Sequence, residues 1–302
     1  MANNVNAFVP EYWSAKLLRE TKELTDFKNN MTNSDWEGEI KSAGDTVRIT
    51  TPDFSAIQIG EGVVPDSSDV YPKQITLTID KSKNFQFKFN DIEQAQSQFN
   101  MLEGYMAGGL QKMMDEVNLE LQEAVIADAN VPTVGTSGSY FDTSDGTKTV
   151  AFFNRIKRKL VENKALNSAG FYNFKGSKEQ TLALEAMVTI TPAMFEQLVS
   201  SNILTHPTVQ GDDVIYKGVA GQIAGMKIFV DTNLMKVSGY AEAQDKNVVI
   251  AGTKMGITFA EQFNKVEKLR DPQSFADIGR ALYLYGYKIT NPKCLVVGYS
   301  EA

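Results

Sequence analysis

The sequence predicts an α+β fold, with helices and strands in unlike blocks rather than in a repeating strand–helix unit. Two observations lead there. Residues 1–130 pass through an amphipathic arm, an alternating β segment and one long Met-rich helix. From Val248 onward the chain turns to long β segments, the longest running from Ala276 to Thr290.

Residues 1–36 read as an arm. Val5, Phe8, Val9, Tyr12, Trp13, Leu17 and Leu18 make an apolar stripe, and Glu11 to Glu23 has helical spacing. Such a stripe covers either the chain's own core or a neighbouring copy. Residues 37–90 read as a two-stranded projection whose tip, Gly60 to Asp69, is acidic and mobile by composition. Asp45 to Thr50, with Val47 and Ile49, is one strand of it. Gln74 to Asp80 and Asn84 to Asn90 read as a β-hairpin turning through Lys81-Ser82-Lys83. Ile75, Leu77 and Ile79 share one face of its first strand, and Phe85, Phe87 and Phe89 one face of its second. A lone hairpin is marginal in water, so these side chains need a cover, from the chain's own body or from another copy.

Asp91, with Gln94 three residues on, reads as the start of the long helix. Leu102, Met106, Leu110, Met113, Val117, Leu121 and Val125 follow steps of four and three, which is one helix face. Met106, Leu110, Met113, Val117 and Leu121 are its expected core. Extended to Ala129, the helix would be roughly 40 Å long at 1.5 Å per residue. Gly104, Gly108 and Gly109 each weaken it by up to about 1 kcal/mol, which predicts a kink or a close backbone contact. Asp115, Glu116, Glu120 and Glu123 read as solvated acids on the other face.

Asn130-Val131-Pro132 ends the helix and opens a Gly/Ser/Thr stretch, where a domain boundary is expected. Val150 to Ala165 is a second amphipathic helix, with Phe152, Phe153, Ile156, Leu160 and Val161 inward. Arg155, Lys157, Arg158 and Lys159 lie on its outer face. Without interleaved aromatics, that face reads as solvated or subunit-contacting in preference to nucleic-acid-binding. Glu185 to Ile190 is a buried strand, Thr191-Pro192 opens the helix Ala193 to Ser200, and Met226 to Val230 is another strand. These make an α/β unit over residues 131–245. Residues 91–130 and 246–302 then build a second, elongated domain from discontinuous pieces.

Composition narrows the function. The chain has 302 residues, 42% of them hydrophobic and 22% charged, which suits a globular protein with a sizeable core. A formal charge of −7 argues against nucleic-acid affinity spread over the surface, although an acidic wall suits enclosure of a polyanion that must not stick. No run of eighteen apolar residues and no signal-peptide core is found, so intracellular synthesis is expected and no membrane partner. Cys294 and His206 are each the sole residue of their type, which excludes a Cys/His zinc site. Cys294, in an apolar run, reads as a buried, inert thiol. Gly218 to Gly225 misses the dinucleotide fingerprint, and Asp142 to Gly146 lacks the final acid of a calcium loop. Asp212-Asp213 is an adjacent acidic pair in a Gly-flanked loop. No catalytic constellation, metal site or cofactor is expected.

Four stretches, in order along the chain, resemble the major capsid (coat) protein family of tailed bacteriophages. Phe8 to Leu18 looks like the family's N-terminal arm, and Glu37 to Ile49 like the approach to its extended loop, the E-loop. Ile79 to Glu93 looks like the return into its spine helix, and Gly221 to Leu234 is similar to its apical, or A-domain, strand. The resemblance implies the fold of tailed-phage and herpesvirus shells. Its parts would be an N-arm (1–36), E-loop (37–90), peripheral P-domain (91–130 and 246–302) and A-domain (131–245). It implies a subunit that assembles with itself into pentamers and hexamers of an icosahedral shell around double-stranded DNA, bound without sequence specificity. The location implied is the virion capsid, with synthesis in the host cytoplasm. A portal and a scaffolding protein are implied partners; the scaffold is expected to be separate because the arm motif begins by Phe8. Phe8, Trp13, Val47, Ile49, Ile75, Leu77, Ile79, Phe85, Phe87 and Phe89 would then meet neighbouring subunits. Some members cross-link through a Lys–Asn isopeptide bond, for which Lys73 and Lys81 would be the candidates. An encapsulin-like nanocompartment shares the implied fold but holds enzymes. An α/β hydrolase acting through Asp212 or Asp213, and a monomeric binding module, are the readings outside it.

Overall fold

The computed structural model describes residues 26–33, 46–51, 73–90, 101–136, 138–163, 165–166, 185–200, 221–237, 246–274 and 276–301. In chain order these form α1 (Asp26–Met31), β1 (Thr32–Asn33), β2 (Thr46–Thr51), β3 (Lys73–Thr78), β4 (Lys81–Asn90) and α2 (Met101–Ala127). Then come β5 (Thr133–Val134), β6 (Phe141–Asp142), α3 (Gly146–Glu162), β7 (Met187–Ile190), α4 (Pro192–Ser200), β8 (Gln222–Ile223) and β9 (Met226–Val230). The chain finishes with β10 (Lys246–Gly252), β11 (Ile257–Arg270), β12 (Ala276–Ile289) and β13 (Leu295–Glu301). Among the described residues there are three sheets: a four-stranded one in the order β1-β11-β12-β4, a seven-stranded one in the order β5-β13-β10-β7-β9-β8 with β6 beside β13, and the ribbon β2-β3.

The seven-stranded sheet is covered on both faces. Val248 and Ile250 of β10, with Val297 and Tyr299 of β13, join the cluster that contains α2. Val249, Ala251 and Val296 join the cluster of α3 and α4 instead. A strand buried on both faces reads as an unbroken apolar run, as Val248 to Ala251 does. That run announces burial but not a partner. β10, expected with the long strands of the elongated part, pairs with β13 and with β7. A boundary at 245/246 therefore passes through this sheet.

The long strands β11 and β12 are antiparallel along their whole length, with a bulge between Phe263 and Lys265. The expected hairpin is corrected here. β4 does not pair with β3; it runs along the edge of β12, Lys81 opposite Tyr285 and Asn90 opposite Ala276. β3 pairs with β2, Val47 opposite Leu77 and Ile49 opposite Ile75. The physical reason is turn chemistry. A hairpin turn of two or three residues needs positive φ at one position or more, which favours Gly or Asn, and Lys81-Ser82-Lys83 contains neither. Such a turn does join β8 to β9, at Ala224 (φ 51°) and Gly225 (φ 76°).

Met106, Leu110, Met113, Val117 and Leu121 are all buried on α2, in one cluster with side chains of both large sheets. The helix runs unbroken past Gly108 and Gly109. Thr191 Oγ1 accepts from the Met194 amide at 3.3 Å and so caps α4, whose first residue is Pro192. On α3, Phe152, Phe153, Ile156 and Leu160 are buried, but Val161, expected inward, is 48% exposed. It follows Leu160 by one residue, about 100° around the helix, which carries it off the buried stripe.

Candidate assembly surface

Two apolar faces decide which surface is free to meet another molecule. The first belongs to the β2–β3 ribbon. Val47 and Leu77, cross-strand partners, are 1% and 0% exposed, and Ile49 and Ile79 are buried with them against Ala260 of β11 and Leu284 of β12. Each such side chain contributes about 1.5–3 kcal/mol when fully buried. Ile75 is half-buried at the margin. The opposite face, with Thr46, Arg48, Gln74 and Thr76, is exposed. The chain passes from β3 to β4 across β12 at Gly286, where a Cβ would lie 2.5 Å from the Thr78 carbonyl oxygen and 3.0 Å from the Ile79 Cα. Val47, Ile49, Leu77 and Ile79, expected to meet a neighbour, are packed here against the chain's own strands. The chain's own sheet covers them and leaves them almost no area to offer.

The second face is the odd-numbered one of β4, and it lies on α2 turn for turn. Lys81 donates to Glu120, Lys83 to Glu116 at 3.1 Å, the Phe85 ring sits against Gly109, and the Phe87 ring stacks on Tyr105 with centroids 5.7 Å apart. From Lys81 to Phe87 the strand advances about 20 Å, and from Glu120 to Tyr105 the helix advances about 22 Å, so the two rows run alongside each other. Gly109 is the close contact that the helix glycines announced: a Cβ there would lie 2.6 Å from the Phe85 ring. Phe87 also covers Gly279, its cross-strand partner on β12, where a Cβ would lie 2.5 Å from the ring. The Phe89 side chain lies outside the described residues, as do Phe8, Trp13, His206, Asp212, Asp213 and the acidic tip at residues 60–69.

Glu116 and Glu120, expected as solvated acids, pair instead with Lys83 and Lys81. Burial pushes the Glu120 carboxyl up, but hydrogen bonds from Lys81 and Tyr285 outweigh it and hold the group below its ordinary value. Burial likewise works against the Lys81 ammonium, and its bonds to Glu120 and Tyr287 raise it nonetheless. Burial first, and then Glu120, pushes the Tyr285 phenol far up. Lys81 is thus a committed structural cation, 3.0 Å from the Tyr287 hydroxyl and 4.4 Å from its ring centre. The Lys73 side chain lies outside the described residues.

Between β4 and the N-terminal half of α2 runs an open groove of about 460 Å³. Phe85, Phe87 and Tyr105 give it an aromatic floor, and Lys83 and Lys112 stand on its rim. Tyr105 is 52% exposed, and the position of a Cβ at Gly108 has nothing within 4 Å. This groove combines exposed aromatic surface with room for another side chain.

The basic face of α3 is occupied within the chain. Arg155 stacks over Phe141 at 4.8 Å, Lys157 donates to the Ala224 carbonyl, Arg158 pairs with Glu162 at 3.1 Å, and Lys159 donates to the Thr133 carbonyl. Cys294 is buried, and burial pushes its thiol up to about 11. Asp142 is held well below the usual carboxylate range by Lys148 first and then by Ser144. Among the described residues no group of three or more His, Cys, Asp or Glu could hold a metal ion, and no helix is long and apolar enough to cross a membrane.

No protein-family model matches this sequence, and none of the curated proteins does. Solved structures do match. A structure from Mycobacterium phage Che8 is 22% identical with a TM-score of 0.68, over 91% of this chain and 90% of the other. The mature capsid of bacteriophage PhiM1 is 14% identical with a TM-score of 0.57, over 91% and 86%. A virus-like particle from Pyrococcus furiosus is 13% identical with a TM-score of 0.53, over 96% and 98%. The chain has the α+β fold of the tailed-phage major capsid proteins.

Proposed function

We propose that this chain is the major capsid protein of a tailed bacteriophage, a structural subunit that assembles with itself into the pentamers and hexamers of an icosahedral shell. The observation that carries the reading is the whole-chain likeness to phage capsid structures, which leaves no large part of either chain unmatched. In this reading residues 1–36 are the arm, and the β2–β3 ribbon is the root of the E-loop. The peripheral domain is built on α2, β4, β11 and β12, and the apical domain on the seven-stranded sheet. Neighbouring subunits meet at the groove over Phe87 and Tyr105 and through the arm with Phe8 and Trp13, rather than at Val47 or Leu77. A chain of formal charge −7 whose α3 cations are already paired encloses double-stranded DNA without gripping it. A separate scaffolding protein, a portal and assembly in the host cytoplasm complete the proposal.

The likeness to the Pyrococcus furiosus virus-like particle, over 98% of that chain, favours a second reading: an encapsulin-like shell around cargo enzymes. Sedimentation velocity of the purified chain, with and without its candidate scaffold, tests both readings. Particles or rings far heavier than the 33.4 kDa monomer are expected, and nucleic acid or enzyme in particles from infected or native cells separates the two. A stable monomer under both conditions would contradict both.

A further inference from the structure

Under the β1 side of the four-stranded sheet lies a polar cluster that the assembly surface does not use. Lys28 of α1 donates to Glu261 of β11, their side chains 4% and 0% exposed. Tyr283 of β12 donates its hydroxyl to the same carboxylate oxygen, Oε2. The ammonium also stands 5.0 Å from the centre of the Phe259 ring. Glu261 Oε1 has no hydrogen-bond partner among the described residues. Cation, carboxylate and phenol thus come from three elements, the cation 233 positions before the carboxylate.

The segment that Lys28 belongs to is weakly made. α1 has six residues and β1 two, and neither length is stable alone. β1 adds only Thr32 opposite Ile257 and Asn33 opposite Thr258 on β11. Phe27 and Met31, 1% and 0% exposed, hold the segment to the core. A slide by one position would put Lys28 and Thr32, or Asp26 and Asn30, in the places of Phe27 and Met31, and the ion pair sharpens that choice. A one-residue slide puts Phe27 or Asn29 in the place of Lys28 and leaves a desolvated carboxylate without its cation.

We propose that Lys28, Glu261 and Tyr283 form a polar latch that admits the segment Asp26–Asn33 to the sheet in one register and releases it as a unit when the pair is broken. The latch selects the register more than it adds strength. A desolvated ion pair is on balance no more stabilising than apolar side chains of its volume, whereas loss of one partner is strongly destabilising. The inference rests on the fold alone; on the shell reading the latch also holds the root of the arm.

Hydrogen exchange with mass spectrometry on the purified chain reads the latch whether or not the chain assembles. Lys28→Met is expected to lower protection of residues 26–33 by about a hundredfold while β10 and β13 keep theirs, and Glu261→Gln to do the same. The double variant Lys28→Met/Glu261→Met leaves no charge buried and is expected to regain most of that protection. Tyr283→Phe removes one hydroxyl without altering the packing and is expected to cost about tenfold or less in the same segment. Unchanged protection in Lys28→Met would overturn the latch, and so would a double variant in which the two single losses multiply. Should Lys28→Met fail to fold, Tyr283→Phe decides. A loss confined to residues 26–33 supports the latch, and no loss, or one shared with β10 and β13, overturns it. Particle formation by the wild-type chain is a separate readout, so failure of the shell reading leaves this test intact.

Discussion

The β2–β3 ribbon and β4 carry the same alternating pattern, yet the ribbon's apolar face is sealed while that of β4 is left half-open. Val47 and Leu77 reach 1% and 0% exposure because Gly286 lets the ribbon root lie directly on β12. Phe85 and Phe87 are half-buried because α2 covers them only along its own line, leaving the groove beside Tyr105. Alternation tells which side chains share a face. Which element covers the face, and how completely, depends on a partner elsewhere in the chain and on whether that partner can approach.

The difference is broken most severely from the sealed side. Leu77→Ala should cost about 3 kcal/mol of subunit stability in urea unfolding, by lost burial and the cavity left behind. Tyr105→Ala should leave stability within about 1 kcal/mol, since that side chain is 52% exposed, yet impair particle formation followed by light scattering. Equal stability losses in the two variants would erase the distinction between the faces. Next in size is Gly286→Ala. Its Cβ meets backbone rather than a flexible side chain, so the ribbon root or β12 must shift, at about 1–3 kcal/mol.

A smaller effect comes from the pair that ties β4 to α2. Lys81 and Glu120 are 35% and 28% exposed, so solvent screens them, and Lys81→Met should cost about 1 kcal/mol or less. The pH dependence has a definite sign. The folded state holds the Glu120 carboxyl below its ordinary value of 4.5, so its contribution is complete above pH 4.5 and is lost as pH falls through the lower folded value. Lys81 lies above its ordinary value of 10.5, so its contribution is complete below that pH and is lost as pH rises through the folded value. Unfolding curves of Lys81→Met across pH 3–6 should show less acid loss than the wild type. Smallest of all, Cys294 should not react with a thiol reagent at pH 8 until the chain unfolds, because burial holds it protonated at about 11.

Several elements were legible residue by residue. The steps of four and three from Met106 to Leu121 define the buried face of α2, and Thr191-Pro192 opens α4. Other features were not, for one common reason: local pattern carries no information about distant partners. β4 pairs with a strand nearly 200 positions away, the β segment from Val248 does not name its sheet, and Glu120 reads as solvated until Lys81 arrives from β4. The same limit governs the candidate surface. The aromatic residues were visible, but only the position of Gly286 and the line of α2 separate Leu77, which is sealed, from Phe87, which is not.

The most direct test is cryo-electron microscopy of assembled particles at side-chain resolution. Each subunit's own β11 and β12 should cover Val47 and Leu77, and a neighbouring subunit should occupy the groove over Phe87 and Tyr105. A ribbon seated on a neighbour's sheet with the groove left empty, or a preparation holding only monomers, would contradict this arrangement.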